Sequence, residues 1–430
     1  MSEKTACDVL VIGGGAAGMM AALQAAWAGA RVTLLEKNEK LGKKVYITGK
    51  GRCNVTNTAE IDDFFFQVPR NPRFLNAAVR GFGHEDLTAL LAMLGLETKV
   101  ERGGRVFPVS DKASDVTRAL AGGLREAGVQ VALNTGVRDV TAQEDGCLEA
   151  ALCQGGVLRA RSVVVATGGV SYPSTGSTGD GYRFARDNGH TIAPLSPSLV
   201  GLTMQEKWPS LLQGLSLKNV RVTAKVGRKT IYSELGEMLF THFGVSGPLM
   251  IELSSHLPQD IASARVTLDM KPALSDEQID QRLQREFAEN ARRQLSSVLV
   301  NLMPARMGPV FATLCGLSAD APVSQITREQ RLCIGRNLKA LPIAVAGTRP
   351  IEEAIVTRGG VNVKEIVSGT MMSKLTPGLF FAGEVLDVDA HTGGFNLQIA
   401  FSTGALAGKS AAAFAQAQRP AGPEHAGPNA

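Results

Sequence analysis

The sequence predicts an α/β protein: a Rossmann-like domain in two parts with a small β domain, carrying a helical segment, between them. Three observations predict it. Gly13, Gly15 and Gly18 form a GxGxxG turn between a strand-like and a helix-like run. A second sequence of strand, acid and glycine turn, Leu379 to Gly404, opens a helix near the C-terminus. Between them, from about 191 to 349, Pro194, Pro197, Pro209, Pro248 and Pro258 separate short β-like runs. The expected organisation is therefore a first domain part over 1–190, an insert over 191–349 with a helical segment at about 275–330, a second part over 350–415, and a flexible tail over 416–430.

Taken in order, Cys7 to Ile12 reads as a strand, GGGAAG as a turn, Ala16 to Ala28 as an alanine-rich helix and Arg31 to Glu36 as a second strand, which makes a βαβ unit. Residues 84–95 and 111–127 have helical spacing and end near glycines. Val129 to Leu133, Cys147 to Cys153 and Ser162 to Ala166 read as strands, as do Asn219 to Gly227 and Ser263 to Met270 in the insert. Ser275 and Gln278 stand at capping-box spacing, and Ile279, Leu283, Phe287, Ala291 and Leu295 repeat every four residues as a core-packing stripe.

Composition excludes other classes. In 430 residues, 44% hydrophobic and 20% charged content rules against disorder and coiled coil. Cys7, Cys53, Cys147, Cys153, Cys315 and Cys333 form no CxxC pair, and the six histidines show no zinc spacing, so neither a disulfide framework nor a metal is expected. Glu3 and Asp8 stand where a secretory signal would be basic, and glycines interrupt the apolar run 9–30. A cytoplasmic chain without membrane association is expected. A net charge of +5 permits a polyanionic partner without requiring one.

The glycine turn carries a mechanism. Gly13 makes the turn, Gly15 lets backbone approach a pyrophosphate, Gly18 lets helix and strand pack, and the helix N-terminus stabilises the phosphates. Glu36, 23 residues after Gly13, would accept hydrogen bonds from ribose hydroxyls and disfavours a 2′-phosphate, which suits FAD or NAD rather than NADP. Three further glycine-rich blocks, Ile47 to Asn57, Val163 to Tyr182 and Leu379 to Gly404, decide for FAD, since an NAD domain needs none of them. In the last block Glu384 is placed for the ribityl hydroxyls. The helix opening at about Asn396 is placed to stabilise negative charge on the flavin pyrimidine. No second strand-GxGxxG-helix occurs between 155 and 350, so electrons are expected from transiently bound NAD(P)H or another donor.

The runs GKGRCNVTN, LFTHFGVSGP (Leu239 to Pro248), TRGGV (Thr357 to Val361) and PGLFFAGEVLDVDAHTGGFNLQIAFSTG (Pro377 to Gly404) resemble the BaiN-like and aminoacetone-oxidase-like FAD flavoprotein family, which includes ribosomal RNA dihydrouridine synthase-like members. The similarity covers about 5 to 415. It implies a split FAD domain with an inserted β-barrel and helices, and reduction of conjugated C=C bonds, in an enone of a steroid-like molecule or in a uracil ring of ribosomal RNA. Oxidation of aminoacetone is the alternative that it also implies. One departure is Met371, where an acid is expected.

The residues expected at FAD are Gly13, Gly15, Ala16, Ala17, Gly18, Glu36, Lys37, Gly49, Gly51, Arg52, Val137, Thr167, Gly168, Gly383, Glu384, Gly394, Asn396 and Leu397. Reduction of C=C also needs a proton donor. Cys53 and His242 are the first candidates, with His391 and Tyr172 behind them; each is more often structural. Lys37, Lys40, Lys43, Lys44, Lys50 and Arg52 make segment 36–52 basic, read as a solvated loop beside the pyrophosphate in preference to an RNA footprint. A non-catalytic flavin-binding redox sensor or RNA-binding assembly factor is the reading from another class.

Overall fold

The computed structural model describes residues 7–258 and 260–418. They form two units: the chain up to Ser196 together with the chain from Ile355, and Pro197–Ala354 between. The crossings fall five or six residues later than the prolines suggested.

The first unit is organised by a mixed sheet. Strand β1 (Cys7–Ile12), helix α1 (Ala16–Trp27) and strand β2 (Val32–Leu35) are the βαβ unit, with β1 pairing β2 in parallel from Val9↔Val32. Every residue of β1 is buried, as a central parallel strand covered on both faces must be. Helix α2 (Ala113–Glu126) is followed by β3 (Gln130–Ala132), β4 (Val137–Ala142), β5 (Leu148–Leu152) and β6 (Val157–Val165). The strand order is β3-β2-β1-β6-β5-β4. The long strand β6 does two jobs. Its first half pairs antiparallel with β5, and its second half takes β7 (Leu379–Phe381) in parallel, which ties the returning chain into the sheet.

Helix α3 (Phe395–Ala417) packs on α1 with almost no spacing. A Cβ at Gly404 would meet the Ala17 carbonyl oxygen, and one at Gly408 the Ala21 carbonyl oxygen. The small residues let two backbones touch, and larger ones would overpack the contact. Helix α3 runs two residues beyond the expected end at 415; residues 419–430 of the expected tail lie outside the described residues.

The second unit holds a seven-stranded antiparallel sheet in the order Leu341–Ile343, Ala264–Asp269, Ser216–Val226, Lys229–Thr241, Gly244–Ser246, Leu202–Met204, Val345–Thr348. The expected barrel is not closed: among the described residues no pairing joins the two end strands, so the sheet is open. Ser275 caps the helix Asp276–Glu289 as its spacing predicts, with Gln278 N to Ser275 Oγ at 3.2 Å and Ser275 N to Gln278 Oε1 at 2.9 Å. The four-residue stripe does not continue as one helix. The chain leaves the helix at Asn290, and Leu295 starts a separate one, Leu295–Leu299. Ile279, Leu283 and Leu295 are all buried in the same core. No helix among the described residues is long and apolar enough to cross a membrane.

Candidate functional site

A cavity of about 1270 Å³, including its open mouth, runs through the first unit at the C-terminal ends of β1, β2 and β6. That edge is where parallel sheets present backbone to ligands. Its floor is the turn between β1 and α1. Gly13 adopts φ +103°, and its amide donates to the Leu35 carbonyl at 2.8 Å. A Cβ at Gly18 would overlap the Gly13 carbonyl oxygen, so Gly18 packs the turn and does not line the cavity. A Cβ at Gly15, by contrast, would meet nothing within 4 Å and would project into open space.

Two carboxylates bound the cavity. Glu36 accepts from Gly14 N at 2.7 Å on one oxygen, and from Asn38 N at 2.8 Å on the other. Glu384 accepts from Lys44 Nζ at 2.7 Å, from Thr357 N at 2.9 Å and from Ser171 Oγ at 3.0 Å. Both are therefore fixed by protein donors. Lys37 pairs with Asp180 at 2.7 Å.

At the far end, α3 begins at Gly394, where φ is +103°. Asn396 and Leu397 in its first turn line the cavity. Asn396 also clamps the approach, accepting from Ala390 N at 2.9 Å and donating to the Ala390 carbonyl at 2.7 Å. Asn57 donates to the Gly393 carbonyl at 2.9 Å, and a Cβ at Gly394 would meet the Thr56 carbonyl. The VTN end of the second glycine-rich block thus buttresses the start of α3.

The cavity gathers Gly13, Gly15, Ala16, Ala17, Glu36, Lys37, Val137, Thr167, Gly168, Gly383, Glu384, Asn396 and Leu397 from distant parts of the sequence. These residues suit FAD. Open space over Gly15 leaves room for phosphate, Glu36 keeps acceptor capacity for a ribose, and Thr167 Oγ1 is buried there without a hydrogen-bond partner. Lys43, Lys44, Thr48, Thr135 and Ser177 also line it and were missed. Only the basic run hinted at the two lysines; Lys37, Lys43 and Lys44 face the cavity, so that run is not merely a solvated loop.

Other expected residues stand outside this lining. Gly49, Gly51, Arg52 and Gly394 do not line the cavity. Arg52 is committed elsewhere, paired with Glu101 and Asp111 and lying 4.2 Å over the Phe107 ring. Cys53 is fully buried, its amide bonded to the Thr48 carbonyl, and burial pushes its thiol up to about 12. A proton donor must meet its substrate, and this thiol is sealed in the core. Tyr172 takes φ +50° at the start of a short 3₁₀ turn whose Thr175 lines the cavity while Tyr172 does not. His391 is half-buried with Nδ1 3.1 Å from Gln67 Oε1, and burial lowers its pKa against the pull of Asp389. His242 sits in the second unit, exposed in the two-residue turn between Lys229–Thr241 and Gly244–Ser246. Met371 is buried at φ +65° with its amide bonded to the Val367 carbonyl.

A cluster that the sequence did not reveal flanks Val388, which lines the cavity. Arg70 pairs with the buried Asp389 at 3.1 Å, and Asn71 donates to Asp387 at 3.1 Å. Burial raises the Asp387 carboxyl, although Arg70 and Asn71 oppose it. Burial and the neighbouring Arg70 lower the Arg358 guanidinium.

With this geometry in hand, comparison with known proteins is specific. The family described as "HI0933-like protein Rossmann domain" matches residues 7–410. The chain is 32% identical over 407 residues to a 3-dehydro-bile acid delta(4,6)-reductase of Clostridium scindens, covering 94% of this chain and 98% of the relative. It is 30% identical over 398 residues to the ribosomal RNA dihydrouridine synthase of Haemophilus influenzae, covering 92% and 96%. Its fold is similar to that of a flavocytochrome c3 fumarate reductase, with TM-score 0.50 and 18% identity over 96% of this chain and 79% of the other. The match runs nearly end to end, and the protein belongs to the HI0933-like, BaiN-like family of FAD-binding oxidoreductases.

Proposed function

We propose that the protein reduces a C=C bond conjugated to a carbonyl, using FAD held in the cavity of the first unit. The observation that carries this reading is the dinucleotide cradle from Gly13 through Glu36 to Glu384 and the start of α3, with no second strand-GxGxxG-helix in the sequence between 155 and 350. FAD supplies hydride chemistry when bound. The Gly13–Gly18 turn and the N-terminus of α1 bind the pyrophosphate, Glu36 with Asn38 the adenosine ribose, and Glu384 with Lys44 the ribityl chain. The first turn of α3 favours negative charge on the flavin pyrimidine. Electrons come from NAD(P)H or another donor.

Hydride addition to one carbon needs a proton at the other. Asp387 is the residue best suited to hold it. It precedes the cavity-lining Val388 without itself lining the cavity, burial raises its carboxyl against the opposing Arg70 and Asn71, and Asn71 donates to it at 3.1 Å. The enone of a steroid-like molecule and the C5–C6 bond of uracil share the required chemistry, and the activities of the two relatives support both.

To test this, the anaerobically reduced protein is mixed with a 3-keto steroid dienone, a uridine-containing ribosomal RNA fragment and fumarate. Reoxidation by the dienone or the RNA supports the reading. Failure of all three, with turnover of aminoacetone and oxygen to hydrogen peroxide, overturns it.

A further inference from the structure

The sheet of the second unit has two unlike faces. Along Ser216–Val226, Val220, Val222 and Ala224 point into the core while Arg221, Thr223 and Lys225 point out. Register extends the outer face on both sides. Arg265 lies opposite Lys225, Thr267 opposite Thr223, and Ser233 opposite Thr223 from the other neighbour, with the Thr223 and Ser233 hydroxyls 3.1 Å apart. The hairpin tip between Val226 and Lys229 adds the exposed Arg228, while Lys229, opposite Val226, has the parity of the inner face.

These cations lack partners. Elsewhere in the same unit Arg282 pairs with Glu286, Arg331 with Asp280 and Arg349 with Glu353. Among the described residues no ion pair joins Arg221, Lys225, Arg228, Lys229 or Arg265 to a carboxylate. Asp269, opposite Arg221, is held by Lys339 at 2.7 Å. Glu234 stands opposite the inward Val222 and so belongs to the other face, whereas the exposed Glu237, in step with Ser233 and Leu235, is the acid at the far end of the outer one. Cross-strand neighbours lie about 5 Å apart and alternate residues about 7 Å apart, inside a Debye length of roughly 8 Å at physiological salt. Lys225 and the facing Arg265 therefore share one positive field with Arg228 at the adjoining tip, while Arg221 lies about 13 Å along the strand from Lys225, beyond that length.

We propose that this outer sheet face docks the phosphodiester backbone of RNA, a role resting on the reading that the reduced ring is a uracil in RNA. Arginines and lysines meet phosphates, and the interleaved Thr223, Ser233 and Thr267 hydroxyls hydrogen-bond phosphate or 2′-hydroxyl oxygens. The face holds no aromatic ring for base stacking, so it reads backbone and not sequence. Leu235 is its one exposed large apolar side chain, too little for insertion into a lipid surface.

The test compares the FAD-loaded protein with a variant carrying Arg221→Gln, Lys225→Gln, Arg228→Gln and Arg265→Gln. A labelled, uridine-containing ribosomal RNA hairpin is titrated over a range of potassium chloride. The wild type should bind with a log–log salt slope of about −3 to −4. The variant should bind at least ~30-fold more weakly with a slope shallower by about 3, while FAD content and reoxidation by the steroid dienone stay unchanged. Equal RNA binding by both proteins overturns the docking face and leaves the uracil reading standing. No RNA binding by the wild type, with the dienone still reduced, overturns the docking face and the uracil reading together and leaves the reductase. Binding to phosphatidylglycerol vesicles in place of RNA also overturns it.

Discussion

The cavity of the first unit and the outer sheet face of the second treat charge in opposite ways. Around the cavity, Glu36, Glu384 and Lys37 each have protein partners at 2.7–2.8 Å, and bare backbone at the Gly13–Gly18 turn is left to meet the ligand. On the sheet face the backbone is used in strand pairing and Arg221, Lys225 and Arg265 are left without a carboxylate partner among the described residues. The contrast teaches what each surface is suited to. A preorganised, internally neutralised site suits one ligand of fixed shape. A field of unpaired cations suits a polyanion that supplies its own geometry.

The comparison is broken most severely at the cradle. Gly15→Val places its side chain where nothing now stands, so the protein should fold yet purify without FAD. Yellow protein with a full complement of flavin would refute the assigned phosphate position. Asp387→Asn comes next: FAD content should be unchanged, but reoxidation by the acceptor should slow about 100-fold. Equal rates in single-turnover kinetics would remove Asp387 as proton donor. Gly408→Val drives a side chain into the Ala21 carbonyl and should cost about 3 kcal/mol, read as a lower melting temperature. The smallest effect compares the two regions directly. Lys44→Met strips a partly buried Glu384 of its cation and should cost about 1–2 kcal/mol, whereas Lys225→Met should stay within about 0.5 kcal/mol. Equal melting shifts for the two would erase the distinction.

Local patterns were legible where backbone and periodicity decide the outcome. Cys7–Ile12 is a strand with the expected ends, and the Ser275 cap is the one its spacing announces. Leu379–Phe381 is the strand expected at the head of the last glycine-rich block. What depends on distant pairing was hidden. Whether Leu341–Ile343 and Val345–Thr348 close a barrel depends on three- and four-residue strands that carry no partner information. Cys53 and Arg52 sit in a glycine-rich loop like those that meet cofactors. Yet the sequence cannot say that one is turned into the core or that Glu101 and Asp111 capture the other. The role of Asn57, holding Gly393 from 336 positions away, is a tertiary fact of the same kind. The stripe through Ala291 and Leu295 misled because two short helices in one core keep the spacing of one long helix.

An anaerobic single turnover tests the central claim most directly: reduced, FAD-loaded protein is mixed with the RNA fragment or the steroid dienone, and flavin oxidation and saturated product are counted together. Hydride delivery to a conjugated C=C predicts one saturated bond per flavin oxidised, confirmed by a mass gain of two hydrogens in the product. Flavin that stays reduced until oxygen is admitted, with peroxide and no saturated product, would contradict it.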